Sequence, residues 1–105
     1  MINRLNNKAL NMLGLAQKAG KMVGGYDATN IAILNKKAML VFIASDISNN
    51  TKEKILFVCQ KNNINVCRQF STAELSHIMG KNRKILAVTD SGFAKAIMKK
   101  INEGE

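Results

Sequence analysis

Two short apolar runs, Met39-Leu40-Val41-Phe42-Ile43-Ala44 and Ile85-Leu86-Ala87-Val88, constrain the fold more than any other feature of the chain. Each is too short for a typical helix, carries β-favouring side chains and shows no alternation of apolar and polar residues. A strand with one wet face alternates, so these runs predict strands covered on both faces. Helical patterns lie before, between and after them. The expected architecture is therefore a three-layer α/β/α sandwich around a small, mixed, largely parallel sheet. A chain of 105 residues fits one domain, residues 1–105, with enough core to stand without disulfides or metals.

Residues 4 to 19 place Leu5, Ala9, Met12, Leu13 and Ala16 on one helical face, with Asn7, Asn11 and Lys18 outside it. The helix ends at Gly20. Lys21 to Gly24 leave room for a short strand at most, and a second helix runs from Asp27 to about Leu34, with Ala28, Ile31, Ala32 and Leu34 available for a core. After the first apolar run, Ser45 to Asn50 form a polar turn. Asn50 and Glu53 have capping-box spacing and open a helix carrying Ile55, Leu56, Val58 and Cys59, which stops near Asn62-Asn63. Ile64 to Arg68 read as a brief strand. Ser71 and Glu74 form a fuller capping box, opening a short helix that ends at Gly80. The last helix carries Phe93, Ile97 and Ile101 at four-residue spacing.

Charge narrows the partner. Sixteen Lys and Arg stand against seven Asp and Glu, a net +9, and the first acidic residue is Asp27. Such an excess on a small domain favours a polyanion. The lysines are scattered over every element, which argues against a basic membrane-surface helix. Met39 to Ala44, the longest wholly apolar run, is too short to span a bilayer, and Met1-Ile2-Asn3-Arg4 lacks the apolar core of a signal peptide. A cytoplasmic monomer is expected. Cys59 and Cys67 are too few and too widely spaced for a zinc knuckle or redox pair and read as reduced core residues.

The chemistry concentrates in two loops. Gly24-Gly25 precede a helix whose free N–H groups favour an anion such as a phosphate. Lys18 and Lys21 flank this loop, and Lys81-Asn82-Arg83-Lys84 form a second basic loop; together they are expected to frame one ligand. Tyr26 is the one aromatic residue near them, so the broad stacking platform of single-strand binders is missing, and a folded RNA shape is the better match. An enzyme reading rests on Ser45-Asp46 and Thr89-Asp90, which end the two long strands, where open α/β sheets gather ligands. Two aspartates there suit Mg²⁺ or a phosphoryl group, but caps at turns or helix starts are the favoured reading of both. His77, the single histidine, has no nearby ligand or triad pattern and reads as surface. No Walker loop or dinucleotide fingerprint is present, and no cofactor or metal is expected.

The chain resembles the ribosomal L-seven-Ae superfamily of kink-turn RNA-binding proteins, in particular its bacterial YlxQ-like branch. The motifs are Leu13 to Lys21, then Gly25, then Ala44-Ser45-Asp46 with Asn50-Thr51-Lys52. Gly80-Lys81, Arg83, Ala87-Val88, Asp90 and Gly92-Phe93-Ala94 follow in order over nearly the whole chain. The resemblance implies an α/β/α sandwich and non-catalytic binding of structured RNA, ribosomal RNA among the candidates, in a ribosomal or translational setting and without DNA. In kink-turn binders the recognition helix opens with Gly, then Asn and Glu that read guanine edges, then a Lys. The same register here gives Gly25, Tyr26, Asp27, Ala28, Thr29, Asn30 and Ile31. Only the glycine is kept: Asp27 accepts hydrogen bonds but donates none, Ala28 reads no base edge, and Ile31 removes a cation. The resemblance also points to Ser45, Asp46 and Ile47, and to Lys81 through Ile85, as RNA-facing. A protein-interaction module that kept this fold without specific RNA recognition is the alternative.

Overall fold

The computed structural model describes residues 4–103, with side chains from Lys8 onward. The residues Met1 to Asn3, and the placements of Arg4, Leu5 and Asn7 on the first helix, lie outside what is described. Nine elements follow in order: α1 (Arg4–Lys18), β1 (Met22–Gly24), α2 (Tyr26–Leu34), β2 (Leu40–Ile43), α3 (Asn49–Lys61), β3 (Asn65–Cys67), α4 (Thr72–Met79), β4 (Ile85–Val88) and α5 (Ser91–Glu103).

Both apolar runs form central strands. All eight residues of β2 and β4 are buried, as continuous apolar runs require. They pair with each other in the order β1-β4-β2-β3, so short β1 and β3 take the edges. Successive side chains point to opposite faces and divide the core in two. Leu40, Phe42, Leu86 and Val88 meet Ala9, Leu13 and Ala16 of α1, Leu75 of α4 and Ile97 of α5. Val41, Ile43, Ile85 and Ala87 meet Ala32 and Ile33 of α2 and Ile55 and Cys59 of α3. The expected α/β/α sandwich is the observed one.

Strand direction differs from the sequence reading. The sheet is mixed, but only β2 and β3 are parallel, while β1·β4 and β2·β4 are antiparallel. Alternating strands and helices predict parallel crossovers. Here α4 instead returns the chain so that β4 enters beside β2 from the end where β2 leaves; Ile43 pairs with Ile85 and Leu40 with Val88.

Local signals fare better. Ser71 Oγ accepts the Glu74 N–H at 3.2 Å and Glu74 Oε1 accepts the Ser71 N–H at 2.9 Å, closing the capping box at the start of α4. Its end is Gly80, at φ 74°, left-handed as a C-terminal glycine permits. The cap of α3 is Ser48 rather than Asn50, two residues earlier than the spacing suggested, because Asn49 is already helical. On α2, Ile31 and Leu34 are 58% and 59% exposed instead of buried. Starting the helix at Tyr26 turns Thr29, Ala32 and Ile33 inward, and residues 31 and 34 fall on the opposite side. Both cysteines are buried and free, and desolvation pushes the Cys59 thiol up to about 11.

Candidate nucleic-acid interface

The antiparallel order brings three loops to one end of the sheet. Gly24 pairs with Leu86 and Ile43 with Ile85, so the β1–α2 junction, the β2–α3 turn and the α4–β4 loop are neighbours. They enclose a groove of about 270 Å³. Gly25 and Tyr26 line one side, Ile47, Ser48 and Thr51 another, and Asn82 to Ile85 the third.

The helix start is fixed by its glycine. Gly25 sits at φ 97° and ψ 161°, and donates its N–H to the Ile85 carbonyl at 2.7 Å. That bond ties α2 to β4 and takes the Gly25 N–H out of the donors open to a phosphate. The Thr29 N–H returns to the Gly25 carbonyl at 3.1 Å. The N–H groups of Tyr26, Asp27 and Ala28 therefore remain as the free donors of the first turn.

The basic loop is held at both ends. Ser76, on α4, accepts the Arg83 N–H at 2.9 Å, and its own hydroxyl faces the Arg83 carbonyl oxygen at 3.2 Å. At the other end the Lys84 carbonyl accepts the Ala44 N–H at 2.8 Å. Arg83 Nη1 donates to the Asn82 carbonyl at 3.3 Å. Arg83 is half-buried, whereas Lys81, Asn82 and Lys84 are exposed. Among the described residues the only ion pair within 4.0 Å is Lys100–Glu103 at 3.5 Å, so the three loop cations have no carboxylate partner. Lys84 is near enough to Asp46 to help lower its pKa, but does not pair with it.

Several expected site residues fall elsewhere. The Lys21 carbonyl accepts the Thr89 N–H, at the far end of β1, and Lys18 ends α1 beside it. Strand rise separates Lys21 from Gly25 by roughly 13 Å, so the two lysines do not frame the groove. The reason is directional: β1 runs from the lysines toward the glycines, and only its far end reaches the basic loop. Ile85 contributes its backbone, since its side chain is 3% exposed and belongs to the core. Asp27 and Ile31 are exposed on α2, Asn30 is half-buried, and none of the three lines the groove; Ser45 is exposed at the end of β2.

Asp46 is committed to structure. Its Oδ1 accepts the Thr72 hydroxyl at 2.6 Å and the Thr72 N–H at 2.9 Å, joining the β2–α3 turn to the first turn of α4. The hydroxyl bond is the larger cause of a pKa held below the ordinary 3.8. Asp90 Oδ2 accepts the Phe93 N–H at 2.8 Å, capping α5. Because β2 and β4 are antiparallel, the two aspartates sit at opposite ends of the sheet. A shared Mg²⁺ or phosphoryl site is excluded by that separation. His77 is exposed, and among the described residues no three His, Cys, Asp or Glu side chains gather.

Ile47, Ser48 and Thr51 complete the groove, and Ser76 supports it. Thr51 belongs to a motif shared with the resembled family. For Ser76, a serine inside a helix, the sequence carries no signal. A larger hollow, about 710 Å³, runs along α5 past Met39, Ala94 and Met98. Lys95 and Lys99 line it from α5, but no basic loop does, so size alone does not make it the interface.

Residues 7–98 match the model of the ribosomal protein L7Ae/L30e/S12e/Gadd45 family. The chain is 42% identical to the RNA-binding protein YlxQ of Enterococcus faecium over 88 residues, 84% of this chain and 85% of that protein. It is 38% identical to the RNA-binding protein YlxQ of Bacillus subtilis over 88 residues, 83% of this chain and 88% of that one. A Bacillus halodurans protein of unknown function shares the fold with a TM-score of 0.86 and 31% identity, over 90% of this chain and 97% of its own. A 15.5 kD RNA-binding protein of Giardia lamblia superposes with a TM-score of 0.79 over 100% of this chain and 93% of its own. At 15% identity that likeness concerns the fold alone. On the family match and the two bacterial relatives, this chain belongs to the ribosomal protein L7Ae/L30e/S12e/Gadd45 family.

Proposed function

We propose that this protein is a non-catalytic RNA-binding protein that grips folded, kink-turn-like RNA in the groove between α2 and the two loops. One observation carries the reading: Arg83 and Lys84, without a carboxylate partner, and the start of α2 at Gly25 and Tyr26 border a single groove. Such an array suits the phosphate backbone. The names of the bacterial relatives support RNA as the ligand. The family's ribosomal members support a ribosomal or translational setting in the cytoplasm, with ribosomal RNA as a candidate. No helix of the described residues is long and apolar enough to cross a membrane. The protein acts as a monomer, without a cofactor and without DNA.

Binding leans on shape and phosphates. Asp27 and Ala28 supply little of the base-edge reading of other kink-turn binders, and exposed Ile31 supplies no cation. Loss of one specific base contact typically costs about 1–3 kcal/mol, on values for DNA. The basic loop offsets part of that loss without restoring sequence discrimination. The test is binding of the wild type and Ile31→Lys to a kink-turn RNA and to a control lacking its G·A pairs, across salt. We expect the wild type to prefer the kink-turn, and Ile31→Lys to tighten binding to both. Equal binding to the two RNAs would remove the kink-turn part of the reading.

One observation favours a second reading. Ile31, Leu34 and Phe57 are each more than half exposed on the outer sides of α2 and α3. These apolar residues suit a protein partner, and salt-insensitive capture of a protein with no RNA affinity would favour that reading over the first.

A further inference from the structure

We propose that Ser76 and Gly24 are positioning residues that hold Arg83 in place for an RNA phosphate; this rests on the RNA-binding reading above. Two independent features converge on the one arginine. From α4, Ser76 fixes the backbone of Arg83 on both sides, accepting its N–H at 2.9 Å and facing its carbonyl at 3.2 Å. From β1, Gly24 receives its side chain. A β-carbon at position 24 would stand 2.9 Å from Arg83 Nε, 3.1 Å from its Cδ and 2.9 Å from Met79 Cε. Gly24 does not have a positive φ, so it is the space above it, rather than its backbone angle, that calls for glycine.

The clamp has an electrostatic counterpart. Arg83 Nε is buried without a hydrogen-bond acceptor, and no carboxylate lies within 4.0 Å of the guanidinium. A buried donor left unpaired is costly, and native structures rarely keep one without a use. The stem of Arg83 is thus laid against Gly24 while its charge stays uncompensated at the groove. A free arginine would lose its rotamer freedom on meeting RNA; one already held loses less, which is preorganisation. Both positioning residues lie outside the basic loop itself, on α4 and β1.

The experiment is a set of double-mutant cycles. Ser76→Ala, Ser76→Thr and Gly24→Ala are each made alone and with Arg83→Ala, and affinity for a kink-turn RNA is measured across salt. Arg83→Ala should weaken binding about tenfold, the ordinary size of a lost charge-assisted hydrogen bond. It should also lower the salt slope by about one. Ser76→Ala and Gly24→Ala should each weaken binding roughly twofold to tenfold, the range for re-ordering one long side chain. In the Arg83→Ala background neither should weaken it further, because they act through the same side chain. Ser76→Thr keeps the hydroxyl and should bind like the wild type.

Amide exchange of the free protein separates the clamp from the RNA reading. Ser76→Ala should speed exchange at the Arg83 N–H, which loses its acceptor, while the melting temperature holds. Unchanged exchange would overturn the clamp whatever RNA does. A Ser76→Ala effect on affinity that persists undiminished beside Arg83→Ala would overturn the positioning role. Equal binding by the wild type and Arg83→Ala would overturn the groove reading, and with it the clamp's purpose.

Discussion

Replacing Gly25 with alanine isolates the backbone strain at the start of α2. A β-carbon at Gly25 would meet nothing within 4 Å, so the substitution creates no clash. What it meets is the conformation, φ 97° with ψ 161°, a region essentially restricted to glycine. Forcing an L-residue into such a region costs on the order of 1–3 kcal/mol. Alanine also narrows the unfolded ensemble, which returns about 0.4–1 kcal/mol. The net loss should be about 1–2 kcal/mol, or a melting temperature lower by about 4–16 °C for a domain of this size. Gly80→Ala is the internal standard. It too lies in open space, but at φ 74° and ψ 10°, the left-handed helical well that side chains tolerate better. Urea melts of both variants should rank Gly25→Ala as the more damaging. The loss should appear in the denaturant midpoint with the slope unchanged. If Gly25→Ala melts with the wild type, or above Gly80→Ala, the strained cap is not what joins α2 to β4 and this reasoning fails.

Phe42→Ala removes a fully buried ring that stacks on Phe70 at 6.0 Å, and should cost about 3–5 kcal/mol in the same melts. Asp46 has a pKa lowered chiefly by the Thr72 hydroxyl. Its contribution to stability is therefore complete above the ordinary 3.8 and disappears as pH falls through the lowered folded value. Asp46→Asn should lessen the fall in stability on the acid side of 3.8 and leave the neutral region lower and flatter; an unchanged acid limb would refute the Asp46–Thr72 tie. Burial raises both thiols, Cys59 to about 11, so neither should react with a thiol reagent at pH 8 until the protein is unfolded. Rapid labelling of the native protein would show that the core opens readily, on the α3 side for Cys59 and on the opposite face of the sheet for Cys67.

What could be read from the sequence was local. The two buried strands, the Ser71 capping box and the Gly80 helix end depend on neighbours within a few residues, and they appear where the pattern puts them. The α/β/α layering followed from the same runs. Strand direction did not, because pairing Ile43 with Ile85 joins residues far apart in the chain. That one unknown decides which residues the end of the sheet gathers. It sent Lys18 and Lys21 to the far end of β1, and it parted Asp46 from Asp90. The phase of α2 was also ambiguous, since Ile31 and Leu34 are as apolar as Ala32 and Ile33, and only the Gly25 cap decides which pair faces the sheet. The basic loop was legible from composition, and it lies beside Gly25 in the fold. Its latch was not, because Ser76 meets Arg83 only after the chain has turned at Gly80.

The central claim is that RNA is held through the cations of the α4–β4 loop. It is tested most directly by titrating a kink-turn RNA with the wild type and with the triple variant Lys81→Ala, Arg83→Ala, Lys84→Ala over a range of salt. The account predicts that wild-type affinity falls linearly with the logarithm of salt concentration, because phosphate contacts release counterions. The folded triple variant should bind more weakly at low salt, with a slope smaller by up to about three. A triple variant that binds as tightly as the wild type, with the same slope, would contradict the account and move the interface away from this groove.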